Sequence, residues 1–361
     1  MIQLLTIIGA RPQIIKAAAF SRAVAAWNNA HPENQIRETI LHTGQHYDNN
    51  MSAVFFEELG VPAPAIQLHA QLPAEMIDGI ENALSSAHYD GVVLYGDTNS
   101  TLAGAKAASK MNVPVFHVEA GLRSWNSLMP EEYNRIVADS VSSLLFTPTD
   151  TATANLQREG KQHIIQTGDL MYDNTLYFSS IAEQKSDILS CLNILNEPYV
   201  LTTIHRQSNA DSPWNMMSII AALERFAEQQ KVVLPLHPRT RNGLDAETLN
   251  SPISTPQIII TEPVSFLDMM MLEKHATMIL TDSGGVQKEA YFFGKPCVIL
   301  REETEWVEIV EAGAAILAGA DTHRILDAYH QLLSARIKPS QLYGDAHAAE
   351  KMVQAIAEYL S

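Results

Sequence analysis

The chain has 361 residues, 46% of them hydrophobic and 18% charged, a length that exceeds one ordinary core and points to two domains. A formal net charge of -17 and a pI near 5.1 argue against a nucleic-acid or anionic-membrane partner, yet leave room for a locally basic site that takes a small anion. Two cysteines, Cys191 and Cys297, lack ligand spacing, so no zinc site or disulfide framework is read, and a reducing, cytoplasmic compartment is the default.

From the N-terminus, Met-Ile-Gln-Leu-Leu-Thr-Ile-Ile-Gly reads as a first buried strand and not as a leader, because it carries no basic segment. No apolar run is long enough to span a bilayer. Leu4–Ile8, Glu38–Leu41, Gly91–Tyr95, Val113–His117 and Leu144–Phe146 are short apolar runs bounded by Gly, Pro or Asp, predicted as buried parallel strands. Ala-rich amphipathic stretches such as Ile14–Trp27 and Ser100–Lys110 fall between them as helices. The pattern restarts after about residue 175, with strands expected at Val200–Thr203, Val232–Pro235, Ile258–Ile260, Thr277–Leu280 and Cys297–Leu300. Thr167–Asn174 is the expected hinge, followed by a charged, poorly periodic stretch, Ala182–Asn196. The expected fold is α/β, with two Rossmann-like domains facing a central cleft: residues 1–172, residues 173–345, and a C-terminal helix over 346–361 that crosses back to the first domain.

Ligands of open α/β sheets bind outside the carboxyl ends of the strands, so residues that directly follow strands carry the most weight. Gly9-Ala-Arg-Pro-Gln-Ile-Ile-Lys16 follows the first strand and sets Arg11 and Lys16 around a helix N-terminus, a place suited to a diphosphate. An ordinary turn with two solvated cations fits these residues equally well. Asp282-Ser-Gly-Gly-Val-Gln-Lys-Glu289 holds the matching position in the second half. Its glycines permit close backbone approach to phosphate, Ser283 adds a donor, and Glu289 can accept from a ribose diol. Acids follow the first-half strands at three places: Asp97 after the third, Glu119 after the fourth, and Glu131 with Glu132 opening the next helix. Each has a structural alternative, Asp97 as a helix cap and the glutamates as first-turn acids. Their convergence favours general acid/base work. His205-Arg206 and His237-Pro-Arg239 follow consecutive second-half strands and offer phosphate-binding cations and a titratable group.

Together these segments resemble the non-hydrolysing UDP-N-acetylglucosamine 2-epimerases. The resemblance rests on Gly9-Ala-Arg-Pro-Gln, Tyr95-Gly-Asp-Thr-Asn-Ser-Thr, His117-Val-Glu-Ala-Gly-Leu-Arg, Met129-Pro-Glu-Glu-Tyr-Asn-Arg, Thr281-Asp-Ser-Gly-Gly-Val-Gln-Lys-Glu and Tyr343-Gly-Asp, in the family's order. It implies a glycosyltransferase-B type architecture, a homodimer, and no nicotinamide, metal or other cofactor. It implies inversion at C2 of the sugar by elimination of UDP to a 2-acetamidoglucal, then re-addition of UDP. Asp97, Glu119, Glu131 and His205 fall on the family's catalytic positions, with Asp97 and Glu131 expected to move the C2 proton. Arg11, Lys16, Arg206, His237, Phe266, Ser283, Gly284, Gly285, Glu289 and Arg301 are the expected UDP-binding set.

The chain departs from the family pattern at several points. Trp306 in Glu305-Trp-Val-Glu308 stands where many members have arginine, Gln207 and Ser208 follow His205-Arg206, and a Gly-rich loop is shortened to Leu68-His-Ala-Gln-Leu-Pro73. Thr43-Gly-Gln-His-Tyr-Asp48 and Arg301–Glu308 look more like a branch that epimerises UDP-2,3-diacetamido-2,3-dideoxyglucuronate for surface polysaccharide. UDP-N-acetylglucosamine is the first expectation and the diacetamido uronate the second. A UDP-sugar glycosyltransferase of the same fold, a hydrolysing epimerase and an inactive UDP-sugar sensor are the competing readings.

Overall fold

The structure, a computed structural model, describes residues 1–45, 56, 58–70, 72–236, 240–241, 255–339 and 341–361. The chain divides into two compact units: residues 1–174 with 341–361, and residues 175–340.

Among the described residues the first unit has seven parallel strands: β1 (Ile2–Ile8), β2 (Ile36–His42), β3 (Ile66–Gln67), β4 (Gly91–Tyr95), β5 (Val115–Val118), β6 (Leu144–Thr147) and β7 (Ile164–Gln166). Their order across the sheet is β3-β2-β1-β4-β5-β6-β7. The reversal of strand order between β1 and β4 is the switch point at which such sheets take ligands. β1 and β4 are almost wholly buried and apolar, as a strand covered on both faces requires. The sheet is flanked by α1 (Arg11–Ala30), α2 (Pro73–Ser86), α3 (Asn99–Lys110), α4 (Pro130–Val141) and α5 (Asp150–Arg158). α1 begins where Pro12 sets the first turn, and the buried Ala17, Ala18 and Ala19 let it lie close on its neighbours. Gly91–Tyr95, expected as the third strand, is the fourth, because the two-residue edge strand β3 lacks a readable apolar period. β7 was also beyond sequence reach, since its residues are only partly covered.

The division between units falls inside α6 (Leu170–Lys185), which continues into the stretch expected to be irregular; α7 (Ile188–Cys191) follows. The described residues of the second unit form a six-stranded parallel sheet of β8 (Tyr199–Thr203), β9 (Lys231–Pro235), β10 (Ile258–Thr261), β11 (Met278–Thr281), β12 (Cys297–Ile299) and β13 (Ala315–Leu317). Its order, β10-β9-β8-β11-β12-β13, repeats that of the first unit, with the switch point between β8 and β11. The helices are α8 (Gln207–Ala210), α9 (Pro213–Ala227), α10 (Phe266–His275), α11 (Gly284–Phe292), α12 (Val307–Glu311) and α13 (Thr322–Leu332). Val200, Ile219, Leu223, Val232, Leu280, Val298 and Ile325 form the centre of its core. A 3-10 turn, Gln341–Tyr343, returns the chain to the first unit, where α14 (Ala348–Tyr359) packs on α1.

Among the described residues no helix is long and apolar enough to cross a membrane.

Candidate functional site

At the first unit's switch point, β1 ends in Gly9. A Cβ there would lie 2.0 Å from Ser100 Oγ and 2.2 Å from Thr43 Oγ1, so only glycine lets the three segments close up. Gln13 ties the same ends together: its carbonyl oxygen accepts from the Gly9 and Ala10 N–H groups at 2.8 and 3.2 Å, and its amide donates to Tyr95 O at 2.9 Å and Thr101 Oγ1 at 3.1 Å. Arg11 lies exposed in the first turn of α1. Lys16, one turn further and buried, forms an ion pair with the Glu119 carboxylate.

Glu119 follows β5 with a φ of 68°, a left-handed conformation that a glutamate adopts only when its surroundings enforce it. Gly96, at the end of neighbouring β4, also has positive φ, and a Cβ on it would be 3.3 Å from Glu119 Oε2 and 3.5 Å from Lys16 Nζ. Asp97 comes next. Its carboxylate meets Arg135 at 2.6 Å, and its carbonyl accepts from Asn134 at 2.9 Å. Arg135 also pairs with Glu132 at 2.8 Å. Glu132 accepts from Ser124 N–H at 2.9 Å, Ser124 Oγ at 3.0 Å and Trp125 N–H at 3.2 Å. Burial opposes its charge, but these bonds and Arg135 outweigh that and hold its pKa below the usual glutamate value. Glu131, half-buried one residue earlier, has no hydrogen bond or ion pair among the described residues. The two glutamates thus separate: Glu132 is spent on the loop before α4, while Glu131 keeps its carboxyl uncommitted.

Beneath these turns lies a buried charged chain. His117 Nδ1 meets Asp139 at 2.7 Å and His117 Nε2 meets Gly96 O at 2.7 Å. Asp139 also accepts from Gly121 N–H at 3.3 Å and pairs with Arg123 at 2.8 Å, and Arg123 reaches Glu159 at 2.7 Å. Burial raises the Asp139 pKa, but His117 and Arg123 overcome it and the net shift is downward.

In the second unit the switch point gathers on Asp282, which follows β11 and is fully buried. Its carboxylate accepts from the N–H groups of His205 (3.0 Å) and Arg206 (3.1 Å) and from the Asn209 amide (3.0 Å). The His205 ring, 39% exposed, keeps Nδ1 3.4 Å from Asp282. Arg206 is half-buried. Ser283 caps α11, and a Cβ on Gly285 would lie 3.9 Å from both Ser283 Oγ and Glu289 Oε2. Ser283, the glycine pair and Glu289 therefore share one corner. Phe266 is buried edge-to-face on Phe178 with centroids 5.4 Å apart. Arg301 is buried in a two-point pair with Glu305 at 2.9 and 3.0 Å. Trp306 is buried as well, with Lys288 Nζ 3.9 Å from its ring centroid. His237 and Arg239 lie outside the described residues, as do His46 and Asp48.

Gln13 and the His117–Asp139 pair anchor the switch point of the first unit and Asp282 that of the second, and none of them was assigned a role from sequence. Asp282 had a usable signal, an acid directly after a buried strand. Asp139 had none, since it sits mid-helix among ordinary residues. No group of three or more His, Cys, Asp or Glu suited to a metal occurs among the described residues, and Cys191 and Cys297 are free thiols.

Two sheets of Rossmann order, each with glycine turns and cations after its central strands, define a nucleotide-binding α/β protein of the glycosyltransferase-B class. The sequence profile of the family described as UDP-N-acetylglucosamine 2-epimerase matches residues 28–357. The chain is 44% identical to the UDP-2,3-diacetamido-2,3-dideoxy-D-glucuronate 2-epimerase of Pseudomonas aeruginosa over 99% of each chain. It is 39% identical to the UDP-N-acetylglucosamine 2-epimerase of Methanocaldococcus jannaschii, over 96% of this chain and 97% of that one. The crystal structure of the M. jannaschii UDP-GlcNAc 2-epimerase in complex with UDP-GlcNAc and UDP is similar at a TM-score of 0.90, with 38% identity over 99% of this chain and 100% of that one. The chain belongs to the UDP-N-acetylglucosamine 2-epimerase family and is an isomerase.

Proposed function

We propose that this enzyme inverts C2 of a UDP-2-acetamido sugar. A carboxylate takes the C2 proton while the C1–O bond to UDP breaks, leaving a 2-acetamidoglucal. UDP then re-forms the C1–O bond as a second acid protonates C2 from the other face. The observation that carries the reading is the pairing at the ends of β4 and β5: Asp97 on Arg135 and Glu119 on Lys16. Arg135 fixes the Asp97 carboxylate at the end of β4, where it is positioned to remove a proton. Glu131, uncommitted among the described residues, is the second proton-transfer group. Arg11, Lys16, Arg206, His237, Phe266, Ser283, Gly284, Gly285, Glu289 and Arg301 are assigned to UDP, and His205 with Glu119 to the sugar and the departing diphosphate. Lys16 would then share its charge between Glu119 and phosphate. A homodimer in the cytoplasm completes the reading.

UDP-N-acetylglucosamine is the substrate on the breadth of the family. The diacetamido uronate is the second reading, favoured by the 44% identity to the P. aeruginosa enzyme and by Arg301–Glu308. Proton NMR in D2O with each sugar tests both. Loss of the C2 proton signal with a manno-configured product is expected, and the faster sugar is the substrate. Asp97→Asn and Glu131→Gln should lower exchange at least about 100-fold with UDP still bound. Retained exchange in either variant removes that residue from the mechanism.

A further inference from the structure

The acids assigned to proton transfer ride on three separate segments: the turn after β4, the turn after β5 and helix α4. The buried chain below them touches all three. His117 Nε2 faces the carbonyl of Gly96, whose amide leads directly into Asp97. Asp139, on the same helix as Glu131, meets His117 Nδ1 at 2.7 Å and Gly121 N–H at 3.3 Å, two residues after Glu119. The His117 ring thus bridges a backbone carbonyl on one side and a carboxylate on the other. Neither His117 nor Asp139 reaches the surface. The rest of β5 is Val115, Phe116 and Val118, ordinary apolar core. Replacing buried ionic groups by apolar ones of similar volume is often neutral or stabilising, so the gain from this network lies in the geometry it enforces. That geometry is costly to hold without it: Glu119, a non-glycine residue, has a φ of 68°.

We propose that His117 and Asp139 are positioning residues that lock the Asp97 turn, the Glu119 turn and helix α4 into one rigid acid/base frame. The inference rests on the acid/base assignment above. Misplacing a reacting group by about 1 Å costs on the order of 100-fold in rate. UDP, assigned mainly to turns of the second unit, should feel little of it.

The test measures kcat, KM and UDP affinity for His117→Gln, His117→Leu and Asp139→Asn beside wild type, Asp97→Asn and Glu131→Gln. Thermal unfolding shows which variants fold. For His117→Gln, whose amide can still donate to Gly96 O, kcat is expected to fall about 10-fold, and for His117→Leu and Asp139→Asn about 100-fold. KM and UDP affinity should stay within about threefold of wild type. The His117→Gln/Asp139→Asn double variant should be little worse than Asp139→Asn alone, as one unit predicts. Wild-type kcat in folded His117→Gln and Asp139→Asn would overturn the proposal, and so would a fall in kcat matched by equal losses of UDP affinity and stability. A wild-type enzyme without C2 exchange, or full activity in Asp97→Asn and Glu131→Gln, would instead sink the acid/base assignment.

Discussion

Asp282 shows how one buried side chain can organise a loop. Its buried carboxylate satisfies two backbone N–H groups at the start of the His205 loop and the amide of Asn209, which also donates to Leu300 O at 2.9 Å. Removing it leaves these donors, of which the Asn209 amide is buried, without that acceptor. Asp282→Ala should therefore lower stability by about 2–4 kcal/mol, read as a shift in urea midpoint, and weaken UDP binding by calorimetry. Asp282→Asn, which keeps one acceptor oxygen, should lie between. An unchanged midpoint and UDP affinity would show that the loop is held by other contacts.

At the scale of elements, the join between α6 and α14 is set by Asp173, which accepts from Ala348 N–H at 3.2 Å and Ala349 N–H at 2.8 Å. This is capping across a long sequence separation, at the helix end where an anion is favoured. Burial nonetheless pushes the Asp173 pKa up to about 6 from 3.8, with Asp169 adding to the rise and the two N–H groups opposing it. The native state thus holds this proton more tightly than the unfolded chain. The stability it contributes is fully present below about pH 4 and is lost as pH rises through about 6. Asp173→Asn should remove that slope. Between about pH 4 and pH 7 wild type should lose up to about 3 kcal/mol relative to the variant in denaturant titrations. Glu132 and Asp139, whose pKa values are lowered, act in the opposite direction but equally in both proteins. Parallel pH profiles would refute the Asp173 assignment.

At the scale of the whole molecule, the loop after β5 and helix α4 expose Trp125 (70%), Leu128 (91%), Tyr133 and Ile136 within twelve residues. Large exposed apolar groups of this kind are what an association surface would use. The proposed homodimer would cover it, and sedimentation should give twice the 39.8 kDa chain mass. Leu128→Asp with Ile136→Asp should shift the protein to monomer. A monomeric wild type would remove the dimer from the proposed function.

The alternation of short apolar runs with Ala-rich stretches was enough to set the α/β class and ten of the thirteen strands among the described residues, because a strand buried on both faces must be apolar whatever its partners. The motif residues after those strands, from Arg11 to Glu289, were legible for the same reason: strand ends can be read locally, and ligands gather there. The edge strands β3, β7 and β13 were not, since short and partly exposed strands need no apolar period. What the chain order could not reveal is which polar groups share a proton or a charge. Glu131 and Glu132 are adjacent and alike in sequence, and only the positions of Ser124, Trp125 and Arg135 commit one of them. His117 and Asp139 lie twenty-two residues apart, and their pairing exists only because parallel packing lays α4 beside β5. Hydrophobic burial depends on local composition and is written along the chain; hydrogen bonds and ion pairs depend on distance and direction, which tertiary structure alone supplies.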